Sequence, residues 1–311
     1  MAMARVRTKS TFNGLAVVAW AWACGTDAFA PPPLALPWRA GRAERAGAGP
    51  CRARAPVLLA AQRDDGGGAP PIYLDYSGTT PVDPAVVDAM LPYFRDVWGN
   101  PSSSHHFGRA AKEGLEQARR QVAASIGCAP HEVFFTSGGT ESNNWALKGA
   151  VFASRRALQD HFTKTMGGSA LSWSSKYVDQ LRPHIVTTAV EHPAVLEPLA
   201  WLQSEQLCDV TVVPVGPDGV VKVQDIVDAL RSQTVMVSVM HANNEIGSVQ
   251  PLAEISAAVK KWAYNFGERG KQGLTPGVLV HSDACQTLGK LDVRVQVLSS
   301  VLKSPLCSDF I

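Results

Sequence analysis

The 311-residue chain is 46% apolar and 18% charged, a composition typical of a globular protein. Its net charge of +2 is unevenly distributed, because residues 1–63 contain nine Lys and Arg against two acidic residues, which leaves 20 basic and 25 acidic residues in the rest. This mildly acidic remainder lacks the basic surface that a phosphate backbone requires, so the sequence argues against a nucleic-acid-binding protein.

Residues 1–71 have the composition of a targeting leader followed by a flexible linker. Three basic residues precede an apolar run at 15–24, which is too short to span a bilayer. The run leads to Ala28-Phe29-Ala30-Pro31, typical of a signal-peptidase site, and residues 31–63 are basic and nearly free of acids. Together they resemble the bipartite plastid leader of algae with complex plastids, which would leave a mature form without a membrane segment. The alternatives are a secretory signal with a disordered linker and a mitochondrial leader.

Strand-like and helix-like segments alternate from Ile72 onward. At Asp83-Pro84, an N-cap residue precedes a proline suited to the first helical position. Apolar spacing predicts helices from Asp83 and over 109–126, 138 to beyond 148, 194–206, 224–232 and 252–266. Short apolar runs predict strands at 72–74, 133–135, 185–188, 210–215, 235–240 and 278–280.

The alternation predicts an α/β fold, with a mostly parallel sheet covered by helices on both faces. We place this domain at residues 72–298, with a divergent tail at 299–311. Residues 154–183 contain turn formers without periodicity, which predicts a surface insertion.

The six cysteines show no spacing typical of a disulfide framework or a zinc site. Two of them lie in the leader, and the others are Cys128, Cys208, Cys285 and Cys307. We therefore predict no metal site and expect the cysteines of the domain to be small buried hydrophobic residues.

A phosphate cradle is predicted where the strand at 133–135 meets the next helix. Gly138 and Gly139 allow backbone amides to approach an anion, and the positive end of the helix lies at the same place. The segment is not a P-loop, since the required lysine is absent. Alone, the Gly-Gly pair is equally compatible with an ordinary turn.

Polar residues follow three further predicted strands, and each has two interpretations. Asp283 could pair with a pyridinium nitrogen, or it could cap the next turn. His192 could stack on a planar ring and exchange protons, or it could be a helix-capping or surface histidine. Asn243 and Asn244 offer amides that could orient a ring hydroxyl or a substrate carboxylate.

Taken in order, these segments resemble the class V aminotransferase-like pyridoxal phosphate enzymes, specifically the cysteine desulfurases and selenocysteine lyases. The similarity covers about 72–298, and the segments in which it lies are 73–81, 98–103, 136–144, 191–192, 241–247 and 281–286.

The resemblance implies the type I pyridoxal phosphate fold, a homodimer, and the removal of sulfur or selenium from cysteine or selenocysteine to give alanine. A sulfur or selenium acceptor protein is a further partner that it allows. It assigns Gly139 and Thr140 to the cofactor phosphate and Asp283 to the ring nitrogen. His192 would stack on the ring as the one catalytic residue, and Asn244 and Gln286 would hold the ring hydroxyl.

The sequence departs from the family pattern after 298. The family has a Ser-Gly-His-Lys-like motif there, whose lysine forms the Schiff base, whereas Lys303 lies in no such motif. The small domain and the loop with the catalytic cysteine are also absent from the sequence. We therefore expect a cofactor domain that is incomplete and inactive as it stands. A non-catalytic cofactor- or partner-binding fragment and another class V aminotransferase are the alternatives.

Overall fold

A computed structural model describes residues 72–166, 182–269 and 277–295. Its centre is a four-stranded sheet with the strand order β2-β1-β3-β4, in which all neighbours are parallel. The strands are β1 (His184–Thr188), β2 (Asp209–Val213), β3 (Thr234–Ser238) and β4 (Leu279–His281). The predicted parallel α/β sheet is confirmed, and so are its four strands from 184 to 281.

Among the described residues three helices precede β1 and three connect the strands, in the predicted order. They are α1 (Pro84–Arg95), α2 (His106–Ile126), α3 (Gly139–Met166), α4 (Pro193–Ser204), α5 (Val223–Asp228) and α6 (Leu252–Arg269), with a short 3-10 turn at Pro130–Glu132. Asp83 caps α1 as predicted, because its carboxylate accepts a hydrogen bond from the Ala85 amide at 2.8 Å. Gly127 ends α2 with a φ of 71°, a conformation that favours glycine.

The two central strands, β1 and β3, are buried on both faces, since each of their residues is buried. Alternate residues of β1 enter different cores. Val186 packs in the cluster formed with α5 and α6, whereas Ile185 packs in the cluster formed with α3 and α4. Helices therefore cover both faces, as the sequence predicted.

Two of the predicted strands do not form. Ile72 and Leu74 are about 85% exposed, and Tyr73 instead closes a turn by donating its hydroxyl to the carbonyl oxygen of Asp75 at 2.7 Å. In the segment 133–135, Phe134 forms an isolated bridge rather than a strand. In both places the apolar run lacks an adjacent strand over its full length, and apolar character alone does not create one.

The predicted surface insertion at 154–183 is wrong over its first part, because α3 extends to Met166. Val151, Ser154 and Leu158 are buried on one side of this helix, at the spacing of successive turns. Packing of this face stabilises the helix beyond the point where the apolar pattern weakens. Residues 167–181 of the predicted insertion lie outside the described residues, as do the leader, the tail and Lys303.

Within the described ranges, none of the helices is both long and apolar enough to cross a membrane. The same ranges contain no cluster of three or more His, Cys, Asp or Glu side chains that could hold a metal ion.

Candidate functional site

The loops that follow β1, β3 and β4 meet at the carboxyl edge of the sheet, where open α/β sheets bind their ligands. The Met240 amide donates to the Glu191 side chain at 2.7 Å, and the His241 amide donates to the Asp283 carbonyl oxygen at 2.9 Å. The first turns of α3 reach the same edge through Asn143. The structure therefore brings together the four segments in which the polar residues were predicted.

Asp283 is held as a carboxylate by hydrogen bonds from two elements. Its Oδ1 accepts from the Cys285 amide at 3.0 Å, and its Oδ2 accepts from Asn143 Nδ2 at 2.8 Å. Burial works against the charge, but these donors outweigh it and hold the pKa of Asp283 below its ordinary value. Asp283 therefore caps its own turn, as one of the two interpretations predicted, and presents a negative charge at the sheet edge, while its pairing with a pyridinium nitrogen stays a prediction.

The turn before α3 leaves backbone exposed beside Asp283. A Cβ added at Gly138 would meet nothing within 4 Å, whereas one added at Gly139 would lie 2.9 Å from Cys285 Sγ. Thr140 is exposed, and no side chain in the described part of the chain accepts a hydrogen bond from the Gly139 or Thr140 amide. The positive end of a long helix is thus open to an anion.

Hydroxyl groups fix the shape of this turn. Thr136 Oγ1 lies 2.7 Å from Ser142 Oγ, which joins the two sides of the turn. Ser137 donates from both its amide and its hydroxyl to Glu141 Oε2, each at 2.6 Å, and these bonds lower the pKa of Glu141. The Glu141 carboxylate is therefore bonded within the turn that it helps to shape.

His192 begins α4 and is exposed at the same edge. Its Nδ1 accepts a hydrogen bond from the Ala194 amide at 3.1 Å, so it caps the helix. A neutral imidazole whose Nδ1 accepts must hold its proton on Nε2. The capping and surface interpretations both apply, and the ring face and Nε2 remain available to a ligand.

Glu191 is 95% buried beside this histidine, since its exposed fraction is 5%. Its Oε1 accepts from the Thr188 hydroxyl and from the Met240 amide, each at 2.7 Å. Its Oε2 has no hydrogen-bond partner among the described residues. Burial raises the pKa of Glu191 to about 7, and the charge of Asp283 adds to this effect against the two hydrogen bonds.

The adjacent asparagines of the β3 loop differ in what they contact. Asn243 Oδ1 accepts from the amides of Glu245 and Ile246, and its Nδ2 donates to the Val190 carbonyl oxygen at 2.8 Å. Asn243 therefore shapes the loop, and the expectation that it offers a free amide is wrong. Asn244 is half-buried, and its side chain bonds to no other described residue, which leaves it available.

Gln286 follows Asp283 and links the site to the N-terminal part of the domain. Its Nε2 donates to the Ser77 carbonyl oxygen at 3.1 Å, and its Oε1 accepts from Lys290 Nζ at 3.0 Å. The second hydrogen of Nε2 is the group that it can offer to a ligand.

Two histidines beneath the site are buried and neutral. His281 Nδ1 lies 2.8 Å from Ser238 Oγ, and burial lowers the pKa of this histidine to about 4 against the nearby charge of Asp283. His241 Nδ1 lies 3.0 Å from Thr287 Oγ1, and burial lowers its pKa as well. Because each ring is hydrogen-bonded inside the domain, these residues support the loops.

The cysteines that the structure describes are free thiols. Cys208 is buried as predicted, whereas Cys128 and Cys285 are only half-buried. Burial and the neighbouring Asp283 raise the pKa of Cys285 to about 12, so this thiol stays protonated. Cys285 lies beside Gly139 and forms part of the wall of the site. No cysteine motif in the sequence predicted this position.

Sequence reasoning missed Asn143, Glu191 and Cys285 as parts of the site. For Asn143 a signal existed, since it lies one helical turn after Gly139 and therefore faces the same side of α3. The burial of Glu191 depends on how three loops pack, which no local pattern in the sequence encodes.

Comparison with known proteins agrees with this geometry. The family model of the class-V aminotransferases matches residues 72–166 and 162–300. Bovine selenocysteine lyase is 42% identical over 229 residues, which cover 73% of this chain and 50% of the relative. A cysteine desulfurase IscS from Dictyoglomus turgidum is 40% identical over 233 residues, covering 75% of this chain and 49% of the relative. The chain thus spans about half the length of the curated relatives it matches.

Solved structures show the same similarity. A NifS-like protein superposes with a TM-score of 0.57 at 35% identity, covering 73% of this chain and 52% of that protein. SspA, solved in complex with cysteine, has a TM-score of 0.57 at 30% identity and covers 73% of this chain and 54% of its own.

Proposed function

Because the chain belongs to the class V aminotransferase family, we propose that its site is that of an enzyme that takes sulfur or selenium from cysteine or selenocysteine and leaves alanine. The relatives named cysteine desulfurase and selenocysteine lyase support this reaction class. Both groups are pyridoxal phosphate enzymes. The observation on which the proposal rests is the half-buried Asp283 carboxylate at the sheet edge, next to an open helix N-terminus.

The residues present fit pyridoxal phosphate in charge and in shape. Asp283 is held ionised, as the partner of a protonated ring nitrogen must be. The amides of Gly139 and Thr140 and the Thr140 hydroxyl would hold the phosphate, because they lie at a helix N-terminus with open space at Gly138. Asn244 and Gln286 would hold the ring hydroxyl with their amides.

When bound, pyridoxal phosphate supplies a ring that withdraws electrons from the reacting carbon of an amino acid. Asp283 would keep the ring nitrogen protonated, and Asn143 would keep Asp283 in place. The His192 ring would lie over the cofactor and move a proton through Nε2, since its Nδ1 is occupied by the Ala194 amide.

We propose that the 311-residue chain by itself binds the cofactor without turnover. In its sequence Lys303 lies in no Ser-Gly-His-Lys-like motif, and a lysine supplies the covalent attachment and the proton transfer at such sites. The second candidate function, a cofactor-binding protein without catalysis, is favoured by this same observation.

Titration with pyridoxal phosphate tests the shared part of both functions. Asp283→Ala should abolish saturable binding, because it removes the partner of the ring nitrogen. The matched control is Asp218→Ala, which changes an exposed carboxylate that accepts from the Val220 amide within its own turn and should bind as the unaltered chain does. Equal affinities in the two variants would show that Asp283 only caps its turn.

The reaction itself is tested by measuring alanine formed from cysteine and from selenocysteine. We expect alanine from the native protein isolated from its source. The recombinant 311-residue chain should give none above a control that contains only the cofactor. Turnover by the recombinant chain would contradict the non-catalytic proposal, and no alanine from the native protein would contradict the enzymatic one.

A further inference from the structure

Glu191 is the most deeply buried carboxyl group at the sheet edge, and the reaction proposed above gives it no part. Both of its hydrogen-bond donors, the Thr188 hydroxyl and the Met240 amide, bond to the same oxygen, Oε1. The other oxygen, Oε2, is buried without a partner among the residues described. If Glu191 were charged, only one of its two oxygens would therefore be stabilised by hydrogen bonds, and the other would be buried away from water.

The position of Glu191 in the chain gives these hydrogen bonds a structural effect. Thr188 is the last residue of β1, Met240 lies in the loop after β3, and Glu191 itself precedes His192. The side chain thus ties the loop that bears His192 to the ends of two neighbouring strands. The bond from Asn243 to the Val190 carbonyl oxygen makes a second tie between the same two loops.

We propose that Glu191 is a positioning residue, which in its neutral, protonated form holds the His192 loop against the end of β3. This role rests on the proposed cofactor site. The neutral form keeps Oε1 as the acceptor of both donors and places the proton on Oε2. The charged group next to it is Asp283, in the loop after β4, whereas Thr188 and the Met240 amide contribute dipoles that do not titrate.

The neutral state also matters for the ligand that the site would hold. Asp283 must supply the single negative charge opposite a protonated ring nitrogen, and a second carboxylate nearby would oppose the ionisation of Asp283. Glu191 ionises with a pKa of about 7, so it is mostly neutral at pH 6 and its charge grows as the pH rises through neutrality.

The experiment compares Glu191→Gln with Glu191→Ala in the full chain. Glutamine keeps an acceptor at Oε1 and places hydrogens where Oε2 carried its proton, but it cannot ionise. Glu197→Gln, on the exposed side of α4, is the matched control for loss of a carboxyl charge.

The first measurement, hydrogen exchange at the Met240 amide, needs no cofactor. We expect Glu191→Ala to speed this exchange about tenfold or more, because the donor loses its acceptor, and Glu191→Gln to leave it unchanged. Unchanged exchange in the alanine variant, or equally fast exchange in both variants, would overturn the proposal. The result decides the role of Glu191 even if the proposed function fails.

The second measurement is the affinity for pyridoxal phosphate from pH 6 to pH 8, expressed for each variant relative to the unaltered chain. Glu191→Ala should weaken binding about tenfold at pH 6, whereas Glu191→Gln should match the unaltered chain there and bind more tightly than it at pH 8. The proposal that Glu191 acts in its neutral form would be overturned if the affinity of Glu191→Gln relative to the unaltered chain stayed constant from pH 6 to pH 8 and equalled that of Glu197→Gln. Failure of the proposed function would instead appear as no binding by the unaltered chain.

Discussion

Asn143 donates a hydrogen bond of 2.8 Å to the carboxylate of Asp283, although the two residues are 140 positions apart. The bond joins the first turns of α3 to the loop after β4. Asn143 is itself 4% exposed, and Asp283 is half-buried. The first turns of α3 and the carboxylate at the sheet edge are therefore held together by this side-chain contact.

Removal of the Asn143 side-chain amide should weaken cofactor binding, because this amide holds the Asp283 carboxylate. Asn143→Ala leaves the half-buried Asp283 with one donor fewer, so we expect the affinity for pyridoxal phosphate to fall about tenfold, or roughly 1.4 kcal/mol. Asn143→Asp should cost more, because it places a like charge beside Asp283. The control is Asn144→Ala, whose amide donates to the Thr140 carbonyl oxygen within α3. Fluorescence titration measures the affinities, and equal values for Asn143→Ala and the unaltered chain would contradict the prediction.

Acid should destabilise the domain through a histidine at the opposite edge of the sheet. His184 is 1% exposed, its two ring nitrogens lie 2.8 Å from the hydroxyls of Thr234 and Thr211, and burial lowers its pKa to about 4. The unfolded chain takes up this proton near pH 6.5, whereas the folded chain does so only near pH 4. Stability is therefore lost as the pH falls through this window, by at most roughly 3 kcal/mol from this residue.

Urea unfolding at pH 7 and pH 5 measures this loss. His184→Gln should reduce the difference in unfolding free energy between the two pH values. His131→Gln, at an exposed histidine, should leave the difference unchanged. Equal pH dependence in both variants would assign the acid sensitivity to other groups, such as His281, whose pKa is also lowered to about 4.

The close approach of α3 to Cys285 predicts a specific steric effect. A Cβ at Gly139 would lie 2.9 Å from Cys285 Sγ, a distance at which either the thiol or the helix must shift, so Gly139→Ala should lower the melting temperature by several degrees. Gly138→Ala meets no atom within 4 Å and serves as the control. Adding Cys285→Ala to Gly139→Ala should restore most of the loss. A double variant no more stable than Gly139→Ala would show that the thiol is not the obstacle.

We propose that residues 1–71 direct the protein to a plastid, on the evidence of the Ala28-Phe29-Ala30-Pro31 junction and the basic segment after it. A fluorescent protein fused behind residues 1–71 should enter the organelle in an algal cell with complex plastids. The fluorescent protein alone should remain in the cytosol. Cytosolic fluorescence of the fusion would contradict the proposal, and a mitochondrial signal would replace it with the alternative leader.

The sequence predicted the sheet well where burial and periodicity agree. β1 and β3 are buried on both faces, so the apolar residues within them have one interpretation, and α4, which follows β1, is capped by the His192 side chain. The runs at 72–74 and 133–135 are equally apolar, but they lack a neighbouring strand along their length. Strand formation depends on a partner, which a local pattern does not contain.

The site was predictable to the level of its loops but not of its individual side chains. Because parallel strands end at one edge, polar residues after β1, β3 and β4 had to meet there. The different contacts of Asn243 and Asn244 depend on the detailed turn that their loop adopts. The elevated pKa of Glu191 depends on burial by three separate segments.

The strand order β2-β1-β3-β4 has a consequence for how the domain assembles. Each parallel pair joins segments that are distant in the chain, as Ile185 pairs with Met236 and Met236 pairs with Leu279. Such long-range pairings close slowly, since chain entropy is lost before the contacts form. The carboxyl edge is complete only when β4 is paired with β3, and we expect a cofactor that contacts both α3 and the β4 loop to bind only the folded chain and to protect it from unfolding.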